Sequence, residues 1–248
     1  LVGGLLDRAA RAFPAASEEN RHGWWMRHTD SSMWWSGAVL AHGARQAAPL
    51  DEGIATAEKF YARHRAGARF QICPGCPAGL DSALSHRGYR LECPMSLQVA
   101  IAEEIADWFS VPSLQVQVSD RLDPAWFSTW RTMGATATHR GPEWRVLQRV
   151  RSPSGYVTVF DSDRPVAVGR AVADSGWTGV LGMATSPHAR RRGAAKVVLS
   201  AIARWAMTQQ ASRIYLQVEQ DNAPARRLYE TARFAEVATY HYRLQTRQ

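Results

Sequence analysis

Lysine is almost missing from this chain. Of its 248 residues only Lys59 and Lys196 are lysine, although Lys+Arg total 30. The basic charge is therefore arginine, whose forked guanidinium suits bidentate contact with phosphate. Cysteine is scarce and odd in number, at three, which excludes the disulfide framework of a small secreted domain. No run approaches the ~18–20 apolar residues of a membrane helix. The first residues lack the charged, apolar and small-residue succession of a signal peptide. These absences lead to the expectation of a soluble, cytoplasmic protein with no membrane partner.

What is present suffices for buried cores. Hydrophobic residues make up 46%, and the length accommodates two domains of ordinary size. The net charge of +8 reads mostly as solvated surface. The cysteines are Cys73, Cys76 and Cys93. CPGC has redox or zinc spacing, and with His86 and Cys93 it offers four ligands. The intervals fit no common zinc module, and no strand–CxxC–helix context surrounds the pair. Reduced structural thiols in a turn, with no metal, are the default reading.

The chain repeats one pattern. AEKFYARHRAGARFQI (Ala57 to Ile72) and IARWAMTQQASRIYLQV (Ile202 to Val218) each read as amphipathic helix, polar turn and apolar strand. LDSALSHRGYRLE (Leu80 to Glu92) and ARRLYETARFAEV (Ala225 to Val237) each read as short helix, turn, aromatic and strand. The shared order predicts a structural duplication, with the boundary near Ser96 to Pro112. LVGGLLDRAARAF at the start reads as an amphipathic surface helix. Past the boundary, VPSLQVQVSD predicts a strand. DPAWFSTWRTMG predicts a helix started by Asp123 and Pro124 and stopped by Gly134, and GPEWRVLQRV a second short one. GYVTVFDSD, PVAVGRAVAD and GWTGVLGMAT predict three strands, the first two joined in a hairpin. The fold class is α/β with a mixed sheet.

SPHARRRGAA, Ser186 to Ala195, joins the last of those strands to a helix that continues through KVVLSAIARWAMTQQ. Helix starts favour acids. Three arginines there are unfavourable unless something strongly negative sits over them. Gly193, Ala194 and Ala195 let a ligand approach the backbone closely. A strand feeding such a loop makes an anion cradle, and a pyrophosphate is its simplest occupant. Val197, Val198, Ile202 and Trp205 fall at helical spacing and face a core. The matching stretch of the first half, ARQAAPLDEG, keeps Gly53 but places Asp51 and Glu52 there, which repel an anion.

Arg190, Gly193 and Ala195 form R-x-x-G-x-A, which resembles the acyl-CoA signature of the GNAT acetyltransferase superfamily, with alanine at Ala195 where glycine is commoner. LGMATSP upstream, RIYLQVEQ downstream and DNAPARRLYETARF supply the rest in the family's order, over roughly Val116 to Leu244. The first half resembles a degenerate second copy, as in tandem GNAT proteins. The resemblance implies the GNAT acyl-CoA N-acyltransferase fold in two tandem domains. Residues 1–105 would form a degenerate N-terminal domain without a CoA cradle, and 106–248 the catalytic acetyltransferase domain.

The resemblance also implies acetyl-CoA as cosubstrate. The backbone of Met183, Ala184 and Thr185, on a strand that splays from its neighbour, would bond the pantetheine arm. Arg190, Arg191, Arg192, Gly193, Ala194, Ala195 and Lys196 would give amides to the pyrophosphate, with Arg191 and Arg192 reaching phosphate oxygens. Asn222 is a helix cap before Pro224, and in the family an asparagine there reaches the pantetheine arm; the two roles are compatible. Ala225, Arg226 and Tyr229 share its helical face. Tyr229 would protonate the departing thiolate. Glu219 would be the base, directly or through a water, with Asp174 and His188 as secondary candidates. A backbone N–H near Thr185 would meet the oxyanion.

The expected function is acetyl transfer to a small-molecule or peptide amine by direct attack in a ternary complex. No cysteine is expected near the cofactor elements, which argues against a covalent enzyme intermediate. The alternative is a non-catalytic acyl-CoA-binding sensor or scaffold. A nucleic-acid partner is not expected, because no basic run extends beyond Arg190 to Arg192. Trp24, Trp25, Trp34 and Trp35 form two aromatic pairs across a turn at TDSS and read as packing between the domains. Tyr89 reads as a packing aromatic, and His28 with Asp30 mimics part of a catalytic pair without further support.

Overall fold

The helix–strand–helix–strand order read twice in the sequence occurs twice in the protein, a computed structural model that describes residues 1–30, 33–43, 49–134 and 142–246. The chain begins with α1 (Val2–Ala12), β1 (Ser17–Arg21), β2 (Trp24–His28), β3 (Val39–Leu40), α2 (Leu50–Arg63), β4 (Arg69–Ile72), α3 (Leu80–His86) and β5 (Arg90–Ile101). It continues with α4 (Ala102–Ala106), β6 (Leu114–Ser119), α5 (Pro124–Met133), α6 (Pro142–Gln148), β7 (Ser154–Asp161), β8 (Arg164–Asp174) and β9 (Trp177–Thr185). It ends with α7 (Ala194–Thr208), β10 (Arg213–Glu219), α8 (Ala223–Thr231) and β11 (Ala235–Leu244). The residues gather into two compact units, and the chain is not divided at a single point. The first holds Leu1–Leu97, Glu219–Asp221 and Val237–Gln248; the second holds Gln98–Val218 and Asn222–Glu236.

In the first unit the strands lie in the order β1-β2-β3-β4-β11. β11 enters by antiparallel pairing with β4, Tyr242 opposite Gln71. α1 buries Leu5, Leu6 and Ala9, as its apolar spacing requires. Its C-terminal carbonyls are met by Arg27, which is 2% exposed and donates to Ala10 O at 2.7 Å and Phe13 O at 2.6 Å. Trp24 belongs to this unit's own core, edge-on to Phe70 at 6.0 Å. That corrects the expectation that it packs between domains. Trp25 donates to Glu18 instead. The TDSS turn falls on Ser31 and Ser32, which lie outside the described residues, as does the side chain of Trp34. His28 stacks on His64 at 4.3 Å. Burial and then His64 lower its pKa, so it stays neutral and is 3.9 Å from Asp30. Tyr89 packs as expected and donates to Glu58.

In the second unit the order is β10-β9-β8-β7-β6. β6 to β9 form an antiparallel meander, and β10 returns parallel to β9 through α7. α5 starts where its signals placed it: Asp123 Oδ1 accepts from Trp126 N at 2.8 Å, and Gly134 ends it. α7 buries Val197, Val198, Ile202 and Ala206. Each large apolar side chain so buried contributes ~1.5–3 kcal/mol. No helix among the described residues is long and apolar enough to cross a membrane.

Candidate active site

The site begins with an irregular strand. Val168 of β8 faces Ala184 and Arg170 faces Leu181, so two residues of β9 stand opposite one of β8. This is a β-bulge, and Gly182 within it has φ +57°. β9 pairs with β10 only at Trp177, Thr178 and Gly179, opposite Arg213, Ile214 and Tyr215. Beyond Gly179 the two strands part. Residues 182–185 of β9 are accordingly half-buried although the strand is central. Ser186 N donates to Val166 O at 2.9 Å. By the alternation of an antiparallel ladder, Ala184 directs its peptide groups to β8, while Met183 and Thr185 direct theirs away from β8.

The loop after β9 delivers the chain to α7. A 3-10 turn covers Pro187–Ala189, Arg190 is extended, and Arg191 takes φ +65°, a costly angle for a side-chain-bearing residue. Gly193 has φ +87°, and a Cβ there would lie 2.6 Å from Phe109 Cε1. Glycine is thus required by both angle and space. α7 has no side-chain cap and no acid in its first turn. The first bond closing the helix runs from Val197 N to Gly193 O at 3.1 Å, so the amides of Ala194, Ala195 and Lys196 have no acceptor within the helix. Uncapped amides under a positive helix end favour an anion.

The charged side chains divide. Arg190, Arg191 and Arg192 are exposed. Arg192 Nη1 lies 3.3 Å from Asp161 Oδ2, so its guanidinium is engaged at the end of β7. The Lys196 ammonium rests 5.1 Å from the Trp108 ring centroid and 4.8 Å from that of Phe109, a cation–π contact. Neither aromatic was singled out by the sequence.

α8 supplies the phenol. Asn222 Oδ1 accepts from Ala225 N at 3.2 Å, with Pro224 in the first turn. Ala225 is half-buried, Arg226 exposed and Tyr229 buried. The Tyr229 ring meets Phe234 at 5.7 Å, and its hydroxyl makes no hydrogen bond among the described residues. Burial pushes its pKa up to about 12.

Glu219 is the exposed last residue of β10. Cys93, in the same compact unit, feels Glu219 electrostatically. Burial, then Glu219, Glu92 and Asp221 push its thiol up, so it remains protonated and a poor nucleophile. Asp174 pairs with Trp177 at the β8–β9 turn and accepts from Ser175 Oγ. That is the opposite end of β9 from Thr185, ~26 Å away along the strand, which removes it as a base. His188 is exposed in the 3-10 turn.

Trp130 was also missed. A Cβ on Gly182 would come 3.1 Å from its Nε1, so the indole walls the bulge. Its ring stacks on Trp126 at 5.9 Å. The i, i+4 pair of tryptophans in DPAWFSTW was the available signal. In the first unit, α2 begins with Asp51 and Glu52, and Asp51 accepts from Arg87 at 2.8 Å. Gly53 is pressed against Trp24, whose ring would meet a Cβ at 2.7 Å; it makes room for packing. Ala44 to Ala48, part of the compared ARQAAPLDEG stretch, lie outside the described residues.

Comparison with known proteins agrees with this geometry. The Acetyltransferase (GNAT) family model matches residues 117–234. A curated relative, "Uncharacterized N-acetyltransferase YobR" of Bacillus subtilis (strain 168), is 23% identical over 252 residues, covering 95% of each chain. A GCN5-related N-acetyltransferase from Kribbella flavida superposes with a TM-score of 0.76 at 16% identity, covering 100% of this chain and 95% of its own. A tandem GNAT protein from the clavulanic acid biosynthesis pathway gives 0.64 at 9% identity, covering 84% of this chain and 73% of its own. The parted strands, the bulge and the uncapped helix all lie within the matched span, so residues 117–234 are similar to the Acetyltransferase (GNAT) family in sequence, and the chain is similar to GNAT proteins in fold.

Proposed function

We propose that the protein transfers the acetyl group of acetyl-CoA to a small-molecule or peptide amine by direct attack in a ternary complex. The observation that carries this reading is one conjunction: β9 leaves β10 after Gly179, and the same strand runs on to an uncapped, acid-free helix start at Gly193. The pyrophosphate would lie against the amides of Arg190 to Lys196, with Arg190 and Arg191 adding charge. The pantetheine arm would pair with the main chain of Met183 and Thr185 where β10 has departed. Ala184 would line the gap without donating to it. Asn222, Ala225 and Arg226 would flank the arm from α8.

Acetyl-CoA supplies the thioester, and the chain's own residues handle protons. Tyr229, held protonated by burial, would give its proton to the leaving thiolate. Glu219 would take one from the attacking amine, directly or through a water. An N–H near Thr185 would meet the charge that develops on the carbonyl oxygen. Residues 106–248 would form the catalytic domain and 1–105 a degenerate copy, whose corresponding helix opens with acids.

The test is thiol release from acetyl-CoA against a panel of primary amines, with CoA affinity measured separately. Saturable release that requires both substrates is expected. Absence of CoA binding, or accumulation of a stably acetylated protein, overturns the mechanism.

A further inference from the structure

Acyl transfer leaves CPGC unused, yet it sits in a built site within the first unit. β3 and β4 run parallel, with Val39 opposite Phe70 and Leu40 opposite Gln71. Two residues further along that register, His42 comes opposite Cys73. The His42 side chain is 4% exposed. Its Nε2 lies 3.0 Å from Asp7 Oδ1 of α1, and its Nδ1 is buried with no conventional hydrogen-bond partner among the described residues. The CPGC turn closes against it: a Cβ on Gly75 would lie 3.3 Å from His42 Cβ. Cys76 N donates to Cys73 O at 3.0 Å, Cys73 N donates to Cys76 Sγ at 3.4 Å, and the two sulfurs are 3.8 Å apart. Cys76 Sγ also donates to Gln71 O at 3.4 Å.

These neighbours separate the two thiols. The Cys76 hydrogen bond first, against burial, and then His42 and the Gly75 amide hold Cys73 down to about 5. Cys76 is pushed up by Cys73 and by burial. Burial pulls His42 down, but Asp7 and Cys73 outweigh it and raise it to about 9. The titratable groups acting on this cluster are thus Asp7, His42, Cys73 and Cys76 themselves. These directions favour a thiolate at Cys73, a thiol at Cys76 and an imidazolium at His42 near neutral pH. No metal-ligating cluster is found among the described residues.

We propose that Cys73 and Cys76 are a reversible dithiol–disulfide couple oxidised by hydrogen peroxide, in which Cys73 is the nucleophile, Cys76 the resolving thiol, and His42 with Asp7 a positioning pair. The Cys73 sulfur attacks one peroxide oxygen and the O–O bond breaks. Cys73 becomes a sulfenic acid, and the departing hydroxide takes a proton to become water. Cys76 then attacks the Cys73 sulfur, its proton joins the leaving hydroxyl as a second water, and the S–S bond forms. Two thiols lose two hydrogens in all, and one peroxide becomes two waters. The sulfurs close from 3.8 Å to ~2.05 Å. Cys73 is 7% exposed, an opening suited to a small oxidant. A dithiol such as dithiothreitol reverses the change.

The full chain is treated with hydrogen peroxide near neutral pH, quenched by alkylation and mapped by mass spectrometry. The expected product is a Cys73–Cys76 disulfide that dithiothreitol removes, with Cys93 still alkylated. Cys76→Ser stops at a Cys73 sulfenic acid captured by dimedone; Cys73→Ser leaves Cys76 unoxidised. In His42→Gln, and through His42 in Asp7→Asn, the midpoint of the oxidation rate against pH moves up from the wild-type value, and the rate near pH 6 falls several-fold. Asp7→Asn serves if His42→Gln fails to fold. Oxidation of Cys73 no faster than Cys93, an unmoved pH midpoint in Asp7→Asn, or one equivalent of tightly held zinc on these thiols overturns the proposal.

Discussion

Gly179 and Tyr215 are the last partners that β9 and β10 share. A Cβ on Gly179 would meet the Tyr215 hydroxyl oxygen at 2.8 Å, so the two residues lock together where the strands begin to part. The part of β9 proposed to meet the acyl donor lies beyond that point: the bulge at Gly182, the half-buried strand end and the loop into α7.

Replacing Tyr229 with Phe removes a hydroxyl that bonds nothing among the described residues and keeps the ring on Phe234. Fold and CoA affinity are expected to change little. Turnover is expected to fall about 10²–10⁴-fold, the range of a general acid. Steady-state kinetics beside calorimetric CoA titration separates the two; unchanged kcat removes the acid role.

Gly193→Val places a branched side chain at φ +87° and against Phe109. The combined strain and overlap cost ~1–3 kcal/mol, visible as a lower Tm. CoA affinity should weaken more than the melting shift alone explains, because the cradle itself is displaced. Wild-type CoA affinity in this variant contradicts the cradle.

Arg192 is tied to Asp161 across 3.3 Å, an exposed pair worth ~0–1 kcal/mol. Asp161→Asn releases it. CoA affinity is then expected to rise about two- to fivefold at low ionic strength, with the gain shrinking toward ~1 M salt. Arg191→Ala should act in the opposite sense. Titrations at two salt concentrations decide it.

Stability against pH follows from Cys73 and His42. Cys73, lowered to about 5, favours the fold above its unfolded value of ~8.5 and loses that contribution as pH falls through 5. His42, raised to about 9, favours the fold below ~6.5 and loses that contribution as pH rises through 9. Between ~6.5 and ~8.5 the two slopes oppose and cancel; below that only Cys73 titrates. Relative to Cys73→Ser, the wild-type urea midpoint should therefore drop from pH ~6.5 toward ~5. In Cys73→Ser, a decline toward pH 9 from His42 should emerge. Parallel curves for the two proteins would contradict the pairing.

Much of the fold was legible because its signals are local. Asp123 and Pro124 start α5, Gly134 ends it, and Gly193 starts α7, each where backbone chemistry leaves little choice. Side-chain destinations were less legible. Trp24 was expected between domains and lies in its own unit's core. Asp174 was a candidate base and sits at the far turn of β9. In each case the residue type is compatible with several surroundings, and only long-range pairing selects one.

By itself, the sequence determined the alternation of helices and strands and the arginine–glycine loop at a helix start, because hydrophobic period, proline, glycine and capping residues act over a few neighbours. The tertiary structure decided where β9 leaves β10, which of Met183, Ala184 and Thr185 face away from β8, that Asp161 holds Arg192, and that His42, held by Asp7, acts on Cys73. Those outcomes depend on strand register and packing between segments far apart in the chain, and a one-residue change of register would turn each strand residue to the opposite face.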